Sequence, residues 1–389
     1  MPSRRRFLAH SSALGLGALG GCVDALGSDR PTYTTPGTDG PPPPPEHHAF
    51  GSDGQWSSPG FDASNTRWDY RGSAPRDDAR VRWRYPVQEG RAPTVSNGQV
   101  FVSAPGELVV LDAMEGEELW TAPTEPSWVG VPLVRNATAY VPVETDLRAL
   151  DAVTGEELWS RSADERFTPP ATVGGEELVV GNGEYVRALD AETGEERRSR
   201  RLYGTVNAPA LGTTRSPTTT TQAGEVYVLE RDGTGVWRRT LRASIEAPVT
   251  LGRDYAYVTE VDDTLRALDH GGETVWRAEG VADFRFGVAY TDAYVYAVDG
   301  STLHALDSDS GEEHWAHHLG ERAGVPAVVD DTVYVGGDRL HALDPEGTGE
   351  RFSVDLGGRV GPDVSAGDGA LYVPVTDDEG TDLVALETA

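Results

Sequence analysis

The sequence contains no lysine: all 33 basic residues are arginines, set against 63 aspartates and glutamates, for a formal charge of −30. A chain of this sign lacks the cationic footprint that a phosphate backbone demands, so nucleic acid is excluded as a partner. Cysteine is almost missing as well. The single thiol, Cys22, cannot build a disulfide framework or a thiolate metal site by itself. Long apolar runs are also lacking: the stretch from Ala13 to Gly21 is small and apolar but far short of the roughly 20 residues a membrane-spanning helix needs. Strong acidity with a modest apolar fraction of 38% would suit a disordered chain, yet Val, Leu, Tyr and Trp recur at regular spacing. We therefore expect a folded, β-rich protein with a solvated carboxylate surface. Near molar ionic strength the screening length shrinks to about 3 Å and like charges repel little, so the composition reads as halophilic.

The N-terminus reads as an address. A basic head, Ser3-Arg4-Arg5-Arg6-Phe7-Leu8, precedes the short apolar run, which ends in Leu19-Gly20-Gly21-Cys22. The head, with Arg4, Arg5, Phe7 and Leu8, resembles the twin-arginine (Tat) export motif, and the tail resembles a lipobox, in which cleavage before the cysteine leaves its sulfur to take a lipid. Residues 1–21 are thus expected to be a lipoprotein signal peptide and Cys22 the lipidation site. Loss of the three leader arginines takes the formal charge to −33. Residues 22–55, with the run Pro41 to Pro45 and little to bury, are expected to form an extended stalk. Its adjacent His47 and His48 read as solvated.

From residue 56 onward the chain repeats itself. Leu147 to Trp159 reads LRALDAVTGEELW, and related strings begin at Leu108, Val186, Leu265, Leu303 and Leu340, with a worn copy at Val226 and a last one, LVALETA, from Leu383. The acidic residue after the conserved-looking leucine of each string falls at Asp112, Asp151, Asp190, Glu230, Asp269, Asp307, Asp344 and Glu387, spaced 39, 39, 40, 39, 38, 37 and 43 apart. Within a unit, period-two apolar segments alternate with turn residues such as Asn97-Gly98, giving four short strands. Gly155, Gly194 and Gly311 stand where the last turn needs positive φ. A four-stranded sheet has two apolar faces to bury, and stacking eight of them in a ring buries both. The predicted fold is therefore all-β: an eight-bladed β-propeller with four-stranded blades over residues 56–389. The last unit lacks its tryptophan strand, and Val81-Arg82-Trp83-Arg84 has that pattern without partners. We expect it to complete the eighth blade and close the ring.

The string from Ala149 to Trp159 resembles the tryptophan-docking repeat of pyrroloquinoline-quinone-like (PQQ-like) propellers, and Trp56, Gly60 and Asn65-Thr66 resemble the lead-in segment of that family. The resemblance implies that Trp83, Trp120, Trp159, Trp237, Trp276 and Trp315 pack between neighbouring blades, with Arg198 and Phe352 as departures. It also leaves function open, because the family includes quinone-dependent dehydrogenases and a non-catalytic lipoprotein of the outer-membrane β-barrel assembly machinery.

A dehydrogenase of the family would bring calcium, a carboxylate base, a ring-stacking tryptophan and usually an adjacent cysteine pair. The cysteine pair is excluded by composition, the tryptophans are nearly all taken by the repeat, and no long inter-strand insertions are present. No cofactor is therefore expected, neither PQQ nor calcium, and no catalytic residue is assigned. Asp307-Ser308-Asp309-Ser310-Gly311 reads as the repeat turn, not a calcium loop. His304 and His341 take the place of Arg148, Arg187 and Arg266 and are expected to be solvated; His314, His317 and His318 read as a surface cluster, so no metal site is expected. Residues two before the first-strand proline should line the mouth of the axial channel, with Arg91, Asn207 and Glu246 as contacts for any small ligand. The reading is a monomeric, lipid-anchored, extracytoplasmic scaffold that binds a protein or surface ligand. The alternatives are a quinone-dependent dehydrogenase and a carboxylate-based hydrolase acting in the funnel.

Overall fold

The computed structural model describes residues 56–389 except 89, 90, 92, 126, 127, 173, 174, 321 and 322. The export motif with Arg4, Arg5, Phe7 and Leu8, the lipidation site Cys22 and the 22–55 stalk lie outside the described residues. The described chain is all-β, with no helix among the described residues, and forms eight sheets arranged as the blades of a propeller. Blade 1 runs from Thr94 to Pro123, blade 2 from Leu133 to Ser162, blade 4 from Ala210 to Thr240, blade 5 from Thr250 to Glu279 and blade 6 from Ala289 to His318, each as a four-stranded antiparallel meander. Blade 7 (Ala327 to Val354) carries a fifth strand, Trp68–Asp69, parallel to Ala327–Val329.

Ring closure follows the sequence pattern. Ala79–Val87 pairs antiparallel with Thr381–Thr388 along its length, Val81 opposite Leu386 and Trp83 opposite Ala385, and so supplies the outer strand of blade 8. Leu383, Val384, Ala385 and Leu386 are fully buried by this pairing, which is where the hydrophobic term for closure arises.

Two blades have an irregular innermost strand, and proline explains both. In blade 3 the innermost strand is reduced to the bridges Phe167–Asn182 and Ala171–Val179, because Pro169-Pro170 between them has no N–H to donate. In blade 8 the innermost strand is split into Arg359–Val360 and Ser365–Gly367 around Gly361-Pro362-Asp363. That break turns Asp363 toward the axis, as described below.

The repeat strings make two devices. The aspartate after the leucine closes the turn to the outer strand: Asp151 Oδ1 accepts the amides of Val153 and Thr154 at 2.9 and 2.8 Å, and Asp307 Oδ1 accepts those of Asp309 and Ser310. The amide bonds hold the Asp151 carboxyl below the usual range, and the Ser310 hydroxyl, followed by the amides, does the same for Asp307. The tryptophan then reaches the next blade. Trp120 Nε1 donates to Ala152 O at 3.2 Å, Trp159 to Ala191 O at 3.0 Å and Trp276 to Ser308 O at 3.0 Å. Trp83, Trp237 and Trp315 make the corresponding bonds to Ala113, His270 and Pro345. Each ring covers the turn glycine of that next blade so closely that a Cβ on Gly155 would lie 2.6 Å from Trp120. Arg198 instead forms a bidentate pair with Glu177 of its own blade, both contacts at 2.6 Å.

Candidate functional site

The propeller axis is the natural place for a site, and it is occupied by the chain itself. Residues 56–69 wind once around the inside of the channel, in blade order. Trp56 O accepts the Val95 amide of blade 1, Ser57 O that of Val134, Ala63 O that of Leu211, Ser64 O that of Leu251, Thr66 O that of Tyr290 and Arg67 O that of Val328. Six of the eight innermost strands, those of blades 1, 2, 4, 5, 6 and 7, therefore end on this collar. Trp56, Gly60 and Asn65-Thr66 mark the lead-in within the sequence, but its path depends on contacts far apart in sequence; Asn65 Nδ2 donates to Val249 O across 184 residues.

Local chemistry holds the collar in its tight course. Phe61, Asn65 and Arg67 all have positive φ, at 72°, 58° and 55°, conformations that need support from surrounding bonds. Asp62 supplies it: Oδ1 accepts the amides of Ser64 and Thr66, both at 3.0 Å, and Oδ2 accepts the Thr66 hydroxyl at 2.9 Å. Burial pushes the Asp62 carboxyl up to about 6, with the bonds from Thr66 and Ser64 opposing. Gly60 has no alternative, since a Cβ there would lie 2.5 Å from the Asn65 side chain. Arg67, a tenth exposed, donates to Pro326 O at 3.0 Å and Pro59 O at 3.1 Å and pairs with Asp363 at 2.9 Å.

Between the collar and the face bearing the blade-to-blade connections lies an axial cavity of about 280 Å³. The collar supplies its polar floor, the first-strand prolines Pro169, Pro209 and Pro248 its walls, and Arg285 and Phe286 stand toward its mouth. Arg91, Asn207 and Glu246 are not among the lining residues. Asn207 is buried and donates to Thr220 Oγ1 at 2.8 Å and Ile245 O at 2.9 Å. Glu246 is exposed, and Arg91 stacks over the Trp128 ring at 5.5 Å.

A quinone and its calcium find a poor fit in this lining. Calcium takes six to eight oxygens, whereas the two lining carboxylates are Asp62, saturated by Ser64 and Thr66, and Asp363, whose Arg67 partner would repel a cation. Among the described residues Phe286 is the one aromatic ring in the lining, and no tryptophan lines the cavity. The same two carboxylates offer no free acid and base for glycoside hydrolysis.

Two further features stand out. A second cavity of about 390 Å³ lies between blades 4 and 5, lined by Trp237, Leu251, Tyr255, His270 and Tyr290 among others. On the mouth face, Arg91 and Arg166 each lie over the Trp128 ring at 5.5 Å, while Glu144 accepts the Trp128 amide at 2.9 Å and pairs with Arg166 at 2.7 Å. The Trp128 amide bond and Arg166 lower the pKa of Glu144. Tyr203, on the blade 3 to blade 4 connection of that face, is 65% exposed. His304 and His341, expected to be solvated, are both buried, because the third-strand register that holds arginine elsewhere faces the neighbouring blade.

Comparison with known proteins places the architecture. The sequence model described as outer membrane protein assembly factor BamB matches residues 65–221, 204–297 and 299–389. BamB from Moraxella catarrhalis superposes with a TM-score of 0.65 at 17% identity, over 80% of this chain and 98% of that one. Quinohemoprotein alcohol dehydrogenase from Comamonas testosteroni gives 0.71 at 16% identity, over 86% and 81%. A europium-containing methanol dehydrogenase gives 0.64 at 13% identity, over 86% and 98%. At these identities the likeness is one of fold. No curated protein matches the sequence.

Proposed function

Since the chain belongs to the PQQ-like propeller family described as outer membrane protein assembly factor BamB, we propose that it is a non-catalytic docking scaffold, tethered by a lipid on Cys22 outside the cell membrane. The observation that carries this reading is the collar: the axial space in which a propeller would hold a ligand is floored by residues 56–69 and braced by the Arg67–Asp363 pair. Short connections between blades accord with it, leaving two broad faces and no inserted domain. The leader arginines, Cys22 and the proline-rich stalk supply export, anchor and reach. Cofactor-free action is part of the proposal, since the lining supplies neither a calcium oxygen set nor a stacking tryptophan.

The mouth face is the proposed docking face for a partner protein. It presents Trp128 braced by Arg91 and Arg166, together with the exposed Tyr203, and tryptophan, tyrosine and arginine are the side chains that carry most interface energy. Rigid presentation costs little ordering entropy on binding. The test is photo-crosslinking in intact cells from position 203, with position 153 in the exposed turn of the opposite face as control. A discrete adduct from 203 and none from 153 supports the face; equal or absent labelling refutes it. The tether is tested separately by Cys22→Ser, which should move the protein from the membrane to the soluble fraction.

A further inference from the structure

The junctions of blades 2 and 3 and of blades 6 and 7 each place three side chains together by register: the residue two after the docking tryptophan, and from the next blade the residue before the third-strand alanine and the glutamate opposite the following leucine. At the junction of blades 2 and 3 these are Arg161, Arg187 and Glu196, with Arg161 3.1 Å from the carboxylate and Arg187 also bonded to it. At the junction of blades 6 and 7 the same three positions hold His317, His341 and Glu350. Two fixed cations have been replaced by two imidazoles.

At this junction the His341 ring is left without a hydrogen-bond partner. His341 has a side chain only 9% exposed, its Nδ1 lies 3.3 Å from Glu350 Oε1 outside hydrogen-bond geometry, and neither ring nitrogen has a hydrogen-bond partner among the described residues. Leaving such a group unsatisfied in a protein interior is unfavourable, because its lost bonds to water are not replaced. At the corresponding position of blade 6, His304 bonds Glu313 through Nδ1 at 2.7 Å. His317 Nε2 lies 4.0 Å from Glu350 Oε2, the two imidazole rings are 5.9 Å apart, and one donor atom from each of the three residues falls within 4.8 Å of the others.

We propose that His317, His341 and Glu350 form an inter-blade site for a divalent first-row transition ion such as zinc, which clamps blade 6 to blade 7. Two imidazole nitrogens and one carboxylate make a three-ligand set of the zinc type, leaving one position for water. Tetrahedral bonds of about 2.0–2.1 Å put ligand atoms roughly 3.3–3.5 Å apart. The His341–Glu350 separation already meets that spacing, and the widest separation in the cluster must contract by about 1.4 Å. His317 and Glu350 can move to do so, being 31% and 30% exposed, and their exposure gives the ion its route in. Calcium and magnesium, which demand oxygen ligands, are excluded by the nitrogen donors.

The test titrates the chelator-stripped mature chain with cobalt(II) alone, followed by zinc. The expected result is one equivalent of cobalt with visible ligand-field absorption, displaced by zinc, and a higher melting temperature with zinc. His341→Arg, which recreates the arginine arrangement of blades 2 and 3, should retain the fold and weaken binding at least about 100-fold, since even outer-shell partners are worth about 10–100-fold. His317→Gln, at a more exposed ligand, should do the same and serves if the buried variant fails to fold. His314→Gln should leave binding intact. No cobalt bound by the parent chain, or equal binding by parent and both ligand variants, overturns the site.

Discussion

Replacing Gly155 by alanine isolates the energy of tryptophan docking. Gly155 has φ of +75°, and Gly98, in the Asn-Gly turn of blade 1, has φ of +74°. A Cβ at Gly98 meets nothing within 4 Å, whereas at Gly155 it would lie 2.6 Å from Cε3 and 3.0 Å from Cδ2 of Trp120. Gly98→Ala therefore carries the left-handed backbone cost alone, about 1 kcal/mol. Gly155→Ala adds displacement of a packed indole and strain on the Trp120 bond to Ala152 O, bringing the total to about 2–4 kcal/mol. In a Trp120→Ala background the glycine substitution should fall back to the Gly98 value, giving a coupling energy of about 1–3 kcal/mol. Urea unfolding of the four proteins at constant high salt measures it. Equal costs at Gly98 and Gly155, or a coupling near zero, would refute the role of Trp120 as an inter-blade dock.

Asp62, raised from 3.8 to about 6 by burial, predicts a pH dependence of opposite sign to most carboxylates. The folded state holds its proton longer than the unfolded chain, so its contribution is full below about pH 4 and is lost as pH rises through about 6, a change of about 3 kcal/mol. Asp62→Asn should flatten the unfolding midpoint across that window. Arg67→Met leaves Pro59 O, Pro326 O and Asp363 without their donor and should cost about 3 kcal/mol or more, with Arg67→Met/Asp363→Leu costing less than the summed single changes; chemical denaturation reads both. Deletion of residues 381–389 removes the strand that pairs with both Ala79–Val87 and Ala370–Thr376, and scanning calorimetry should show no cooperative transition at the parent temperature.

The ring was legible because its code is local. A leucine-aspartate turn, a glycine and a tryptophan recur in most units, and each acts on its own blade or the next one, so spacing alone predicts eight blades and the strand at Val81 that closes them. The collar was not legible, because residues 56–69 have no period and their partners, from Val95 to Val328, lie in six different blades. Arg91, Asn207 and Glu246 stand before the first strands and are not among the residues that line the axial cavity. The histidines show the limit differently. His341 looked solvated because third-strand polar positions seemed to face water, whereas stacking of blade 6 on blade 7 covers that register and brings His317 beside it.

The central claim, that this propeller works as a scaffold without a quinone, is tested most directly by reconstitution. Purified mature protein is incubated with PQQ and calcium at high salt, then assayed for quinone binding by equilibrium dialysis and for alcohol- or aldose-dependent dye reduction. The expected result is no stoichiometric quinone binding, with dye reduction at the level of a protein-free control. Stoichiometric quinone uptake with substrate-dependent reduction, abolished by changes at Arg67 or Asp363, would contradict it.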